Sequence, residues 1–379
     1  MAPLRVVLNT RTDDAAARLG IRGLAERLRE HGVDATTDDW NHYEAYDVAV
    51  FLGYDHDLDA AKTQNPSIRV ALVDPKVSRA DWAEAARRAD FLMVGSVEQR
   101  DAFLRVNRNV VVYYMFPIVA AEPRQHEDRE PLVIGYHGNR VHLETMVSNV
   151  RPALEELGRQ RSVEFHAIYN HATLGRAGIG MPDDGLVTVR HIQWTDGFMA
   201  DLRRADIGIV PNELPIRDRQ RILREAAYDE PQFAYEPFDH LVRFKLSSNP
   251  GRLFPFASLA IPVVADFTPS SSQFVQDGVS GYVASSAHGW LDALERLAAS
   301  AEHRATLGQE LRRRMLSEYE RQVDVFLDWC TRPLSPSPVV LPNVPTVQDE
   351  LAFSDRYAAP SSPWTWRRVR TRAKRLLRR

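Results

Sequence analysis

The chain has a single cysteine, Cys330, in 379 residues. An intramolecular disulfide is therefore excluded, and the cysteine usage fits a reducing compartment. No apolar run approaches the length that spans a bilayer. No charged segment followed by an apolar one opens the chain, so Met1-Ala2-Pro3-Leu4-Arg5 reads as the approach to a strand and not as a secretory leader. A net charge of −3 gives no global pull toward nucleic acid. Together these absences lead to the expectation of a cytoplasmic protein.

What is present is ordinary for a soluble globular chain: 44% hydrophobic and 26% charged residues. The length suggests two or three domains. Short runs rich in Val and Ile recur at Val6-Leu8, Val48-Leu52, Val70-Val73, Phe91-Val94 and Val110-Tyr114. Helical patterns lie between them, such as Ala15 to His31 and Arg79 to Ala89. Continuous apolar strands alternating with helices predict a parallel sheet covered on both faces. A polar run, 121–131, reads as a linker. The rhythm then restarts, with strands expected at Leu132-Tyr136, Val163-Tyr169, Leu186-His191, Ile207-Val210, Ile261-Ala265 and Gly281-Ala284, and a long helical pattern from Arg304 to Trp329. The expected fold is α/β, with two tandem Rossmann-like doubly wound units, 1–120 and 132–330, facing a central cleft.

The rest of the chain differs. Residues 331–363 are rich in Pro and Ser and read as an extended linker. The terminal 364–379 carry eight basic and no acidic residues, with Trp364, Trp366, Val369, Leu376 and Leu377 interleaved, so the remainder of the chain stands near −11. A basic amphipathic segment with indoles at one end suits an anionic membrane surface. A tail folded back on the acidic body is the alternative. No recognised nucleic-acid fold or stacking platform accompanies the charge, so no nucleic-acid partner is expected.

In open α/β sheets, ligands bind beyond the carboxyl ends of strands. The expected second unit is rich there. Phe244-Lys245-Leu246-Ser247-Ser248-Asn249, followed by Arg252, sets two cations, two hydroxyls and an amide within eight residues, before an apolar helix. Such a cluster at a helix start suits a diphosphate: free N–H groups, a positive dipole end, full charges and hydrogen-bond donors converge. After Leu132-Tyr136 comes His137-Gly138-Asn139; Gly138 admits close approach of a ligand and Asn139 offers an amide. Ile192 and Trp194, with Pro211 and Glu213 after Ile207-Val210, are candidates to border a nucleobase. In the first unit, strand ends carry Asp55 and His56, then Asp74 and Lys76, then Ser96; His56 and Asp74 are the candidates to act on an acceptor. Asp55-His56-Asp57 lacks the ligand spacing of a metal site, and none is expected.

In their order and spacing, Ile134-Gly135-Tyr136-His137-Gly138-Asn139, Ala205-Asp206-Ile207-Gly208-Ile209-Val210-Pro211, the Lys245 segment, Ile261-Pro262-Val263-Val264-Ala265 and Asp277-Gly278-Val279-Ser280-Gly281-Tyr282 resemble the donor-binding half of GT-B glycosyltransferases, in the retaining family 4-like group. The resemblance implies a nucleotide-sugar substrate, no further cofactor, and a glycan or lipid-linked acceptor held by the first unit. It implies that Gly138, Asn139, Lys245, Ser247, Ser248, Asn249 and Arg252 bind the diphosphate. One departure stands out: Gly251-Arg252-Leu253-Phe254-Pro255-Phe256-Ala257-Ser258 carries no carboxylate where many family members place a glutamate. That departure keeps open a non-catalytic GT-B protein that binds glycan or nucleotide; a different enzyme on the same fold, such as a sugar-nucleotide epimerase, is a third reading. The leading expectation is a glycosyltransferase of surface polysaccharide or glycoconjugate synthesis, peripheral on the inner face of the cell membrane.

Overall fold

A computed structural model describes residues 4–76, 80–116, 121–212, 238–239, 244–245 and 249–336. The first six strands are β1 (Arg5–Asn9), β2 (Asp34–Thr37), β3 (Val48–Leu52), β4 (Arg69–Val73), β5 (Phe91–Val94) and β6 (Val110–Val112). They form one sheet in the order β2-β1-β3-β4-β5-β6. A second sheet holds β7 (Leu132–His137), β8 (Val163–Tyr169), β9 (Thr188–Gln193), β10 (Ile207–Val210), β13 (Val263–Asp266) and β14 (Tyr282–Ala284), in the order β14-β13-β10-β7-β8-β9. Between β10 and β13 in sequence, β11 (Phe238–Asp239) and β12 (Phe244–Lys245) pair antiparallel by themselves. Every pairing within the two large sheets is parallel.

The Val- and Ile-rich runs became strands because both faces are covered. β3 and β7 are buried at every position, which only a sheet sandwiched between helices provides. The helix Val150–Gln160 shows the complement, burying Val150, Ala153, Leu154 and Leu157 on one face. β2 lies outside the expected strands. Asp-Ala-Thr-Thr has no apolar run, and only Ala35 is buried in it; pairing with β1 at the sheet edge makes it a strand.

Strand order fixes where loops converge. The second sheet is built outward from β7 to β9, then from β10 to β14 on the other side. Its order reverses between β7 and β10, and that of the first sheet between β1 and β3. Loops at a reversal diverge and leave a crevice at the carboxyl ends.

The run 121–131 is docked on the second unit. Arg124 and Arg129 both meet the fully buried Asp206 carboxylate, which also accepts the Val133 N–H at 2.8 Å. His126 Nε2 donates to the Ala260 carbonyl at 3.0 Å. The last helix, Ala301–Thr331, starts on the second unit and ends on the first. Leu311 and Met315 join the core beneath β13, whereas Val323, Phe326 and Cys330 join the core of the first sheet. The span 132–330 thus does not coincide with one packed body. Arg27 of the first unit lies over the Tyr319 ring, 3.6 Å from its centroid. Residues 337–379, with the basic segment 364–379, lie outside the described residues.

Candidate functional site

The crevice between β7 and β10 is closed by Arg252. Its guanidinium donates to the Pro211 carbonyl at 2.6 Å and to Asn212 Oδ1 at 3.0 Å, both just past β10. Its own carbonyl accepts from His137 Nε2 at 2.6 Å, at the end of β7. One arginine therefore ties both loops of the reversal. Burial lowers its pKa, opposed by Tyr136 and Asp266. His137 is enclosed by Phe198 and Phe256, with ring centroids at 5.4 and 5.3 Å. Burial brings its pKa down to about 4, so it is neutral near pH 7 with its proton on Nε2. Asp266, at the end of β13, accepts the Asn212 N–H at 2.5 Å and the Trp290 indole N–H at 3.0 Å.

Gly138 follows His137 with φ 136°. A methyl group there would stand 2.7 Å from Arg252 Cδ and 3.0 Å from the Tyr136 hydroxyl, so only glycine lets the chain pass this closely. Asn139 caps the helix Arg140–Glu144, accepting the Val141 N–H at 3.2 Å. Asn249 caps a 3-10 turn, Pro250–Arg252, accepting the Gly251 N–H at 2.9 Å. The helix proper is Phe254–Ser258. Lys245 therefore lies in β12, five residues before the first turn, and not on the helix start that the sequence suggested. Ser247, Ser248 and Glu213 lie outside the described residues. Ile192 and Trp194 pack against the core beneath β10 and β13, where Trp194 stacks on Phe198 at 5.6 Å.

The carboxyl rim of the first sheet carries its own cluster. Asp55 accepts from the Thr10 hydroxyl at 3.1 Å, from the Arg11 N–H, and from the Arg11 guanidinium at 3.0 Å. Arg11 lies over Trp40, 3.6 Å from the ring centroid. His56 and Asp74 follow the neighbouring strands β3 and β4. Asp74 takes an ion pair from Lys76 at 2.9 Å and sits at φ 49°. His56 is half-buried, and burial lowers its pKa despite several nearby aspartates.

The two rims face each other. Arg18, after β1, meets Asp196, after β9, at 3.4 Å. Gly95, at the end of β5, lies so close to Asn249 that a methyl group would stand 3.2 Å from its Cβ. Next to it Glu98 is 5% exposed, and neither carboxylate oxygen completes a hydrogen bond among the described residues. Ser270 of the second unit stands against it, and burial raises its pKa.

Among the described residues no group of three His, Cys, Asp or Glu side chains gathers as a metal ion would need, and no helix is long and apolar enough to cross a membrane. A recess of about 260 Å³ between Gly158–Val163 and Asp184–Thr188 lies at the amino ends of β8 and β9, the edge opposite to the site. Sequence reading omitted Arg11 and Trp40 and gave no role to Asn212, Asp266 or Trp290. The signal for Asp266 and Asn212 was their place directly after apolar strands; which partner each meets depends on strand order.

No family model matches the chain, and no curated protein matches its sequence. Solved structures match its fold. A glycosyltransferase from Rickettsia africae gives a TM-score of 0.54 at 8% identity, over 88% of this chain and 100% of that one. Sucrose-phosphate synthase from Thermosynechococcus elongatus gives 0.52 at 13%, over 86% and 98%. The lipopolysaccharide outer core galactosyltransferase WaaB gives 0.52 at 10%, over 87% and 99%. The chain spans 55% of the length of S. aureus TarM. At these identities the likeness defines the fold: this is a GT-B chain, two Rossmann-like units with their carboxyl rims opposed.

Proposed function

We propose that the chain is a glycosyltransferase that moves a sugar from a nucleoside-diphosphate donor, bound on the second unit, to an acceptor held by the first. The observation that carries the reading is the Arg252 bridge across the β7/β10 crevice. A cation, a close-approach glycine and two loop ends at the carboxyl-end crevice of such a sheet support a diphosphate site there. Lys245 adds the second cation by its place in the sequence. Charge fixed at the leaving diphosphate stabilises it as the sugar bond breaks, and this electrostatic help needs no metal. Asn139 caps a helix and Asn249 caps a 3-10 turn on the same rim. Ile192, Trp194 and Pro211 border the nucleoside. His56 and Asp74 orient the acceptor.

Retention of configuration, a lipid-linked acceptor, a role in surface polysaccharide or glycoconjugate synthesis, and peripheral attachment to the cytoplasmic membrane face through 364–379 belong to the same proposal. Sequence resemblance and the basic segment support them. A second reading rests on Phe254–Ser258, which has no carboxylate: a protein that binds donor or glycan without transfer.

A thermal-shift panel of nucleoside diphosphates and their sugars on wild type and Lys245→Ala decides between them. A ligand at ~100 times its dissociation constant adds about 2.7 kcal/mol. One nucleotide raising the melting temperature of wild type but not of the variant supports the donor site, and product formation with an acceptor supports transfer. No shift with any nucleotide would remove the donor reading.

A further inference from the structure

The reversal of the first sheet, between β1 and β3, is a second crevice with its own unsatisfied chemistry. Asn9 ends β1 and is fully buried. Its amide nitrogen donates to the Asp39 carbonyl at 2.7 Å, but its Oδ1 has no hydrogen-bond partner among the described residues. His56, past the end of β3, has a buried Nδ1 in the same condition. Buried polar atoms without partners are rare, and each asks for a water or a ligand. Arg11, two residues after Asn9 and bonded to Asp55 beside His56, has half its side chain exposed, one edge held by Asp55 and one face held by Trp40. A guanidinium fixed in this way keeps its remaining N–H groups aimed without further ordering.

The charge balance narrows the ligand. Arg11 is already neutralised by Asp55. Asp13 is paired with Arg22, and Asp14 accepts the Tyr54 hydroxyl at 2.8 Å. Asp39 accepts from Tyr46 at 2.9 Å. No cation is left over for a phosphate or carboxylate in this set, and the carboxylates repel one. Fixed donors and fixed acceptors suit hydroxyl groups on a ring.

We propose that this crevice holds a neutral, polyhydroxylated ring, the sugar end of the acceptor, read by Asn9, Arg11, Asp55 and His56, with Trp40 holding the Arg11 guanidinium in place. The inference rests on the transferase reading and adds to it that the recognised end of the acceptor is uncharged. Any phosphate of a lipid-linked acceptor then lies outside this crevice.

Saturation-transfer NMR tests this on the full chain. The probes are glucose, galactose, mannose and N-acetylglucosamine as methyl glycosides, beside the 6-phosphate esters of the same sugars. At least one neutral glycoside gives a signal stronger than that of its phosphate ester. Arg11→Gln weakens that binding about tenfold, the factor that 1.4 kcal/mol of lost interaction gives, while the nucleotide thermal shift persists. The proposal falls if no neutral glycoside gives a signal, if the phosphate esters bind better, or if a folded Arg11→Gln binds as wild type does. The comparison of glycosides with esters uses wild type alone, so it stands if the variant does not fold. A nucleotide shift with failed glycosides sinks this inference alone; glycosides without a nucleotide shift sink the donor reading instead.

Discussion

Arg252 Nη1 donates to the Pro211 carbonyl at 2.6 Å, so the last residue of the turn before the helix Phe254–Ser258 is fastened to the loop on the far side of the crevice. With His137 holding the Arg252 carbonyl from β7, three segments distant in sequence meet at one residue, two through its side chain and one through its backbone. Perturbing Arg252 should therefore change the shape of the whole crevice.

Gly138→Ala tests that directly. The added methyl group meets Arg252 Cδ at 2.7 Å, at a φ of 136° that side chains resist. The expected loss is about 1–3 kcal/mol of stability, with loss of nucleotide binding. Denaturant melts and calorimetric titration measure the two. Wild-type affinity in the variant would show that the crevice is not the nucleotide site.

Asp206→Asn should be among the more damaging single changes outside the cleft. It removes the charge facing Arg124, whose side chain is only 11% exposed. An uncompensated buried charge costs on the order of 3–5 kcal/mol. A midpoint within experimental scatter of wild type would mean that 121–131 is not held by this pair.

Glu98 and His137 give opposite pH slopes. The native pKa of Glu98 is raised by burial, so the native state holds its proton longer than the unfolded chain. Stability falls as pH rises from the ordinary carboxylate value through the raised native one. Glu98→Gln should remove that fall and raise stability at neutral pH, by about 1.4 kcal/mol for each unit of native shift, which reads as a higher melting temperature. For His137, lowered to about 4, the unfolded chain takes the proton first. Stability is lost as pH falls from about 6.5 to about 4, and His137→Gln should flatten that limb. Melting curves of both variants from acid to neutral pH check the signs; unchanged slopes in both would refute the assignment.

Cys330 should be silent in the native protein. It is 5% exposed in the core shared by the last helix and the first sheet, and burial raises its thiol pKa. A thiol reagent should react only as fast as the helix end opens. Prompt stoichiometric labelling would show that this end is undocked.

The sequence by itself determined the two-sheet α/β plan. Continuous apolar runs such as Val48-Leu52 and Val70-Val73 can be satisfied only between two helical layers, so their place as inner strands was legible without a structure. It also determined Gly138, since a glycine after a buried strand marks a close backbone approach. Pairing decided β2, because Asp34–Thr37 is a strand only when β1 lies beside it. Strand order decided the partners of Arg252 and Asp266, since β7, β10 and β13 become neighbours only on folding. The last helix reads as one amphipathic pattern, yet its two ends belong to different cores. Local sequence sets which face of an element is apolar; which surface covers that face is settled by the packing of the whole chain.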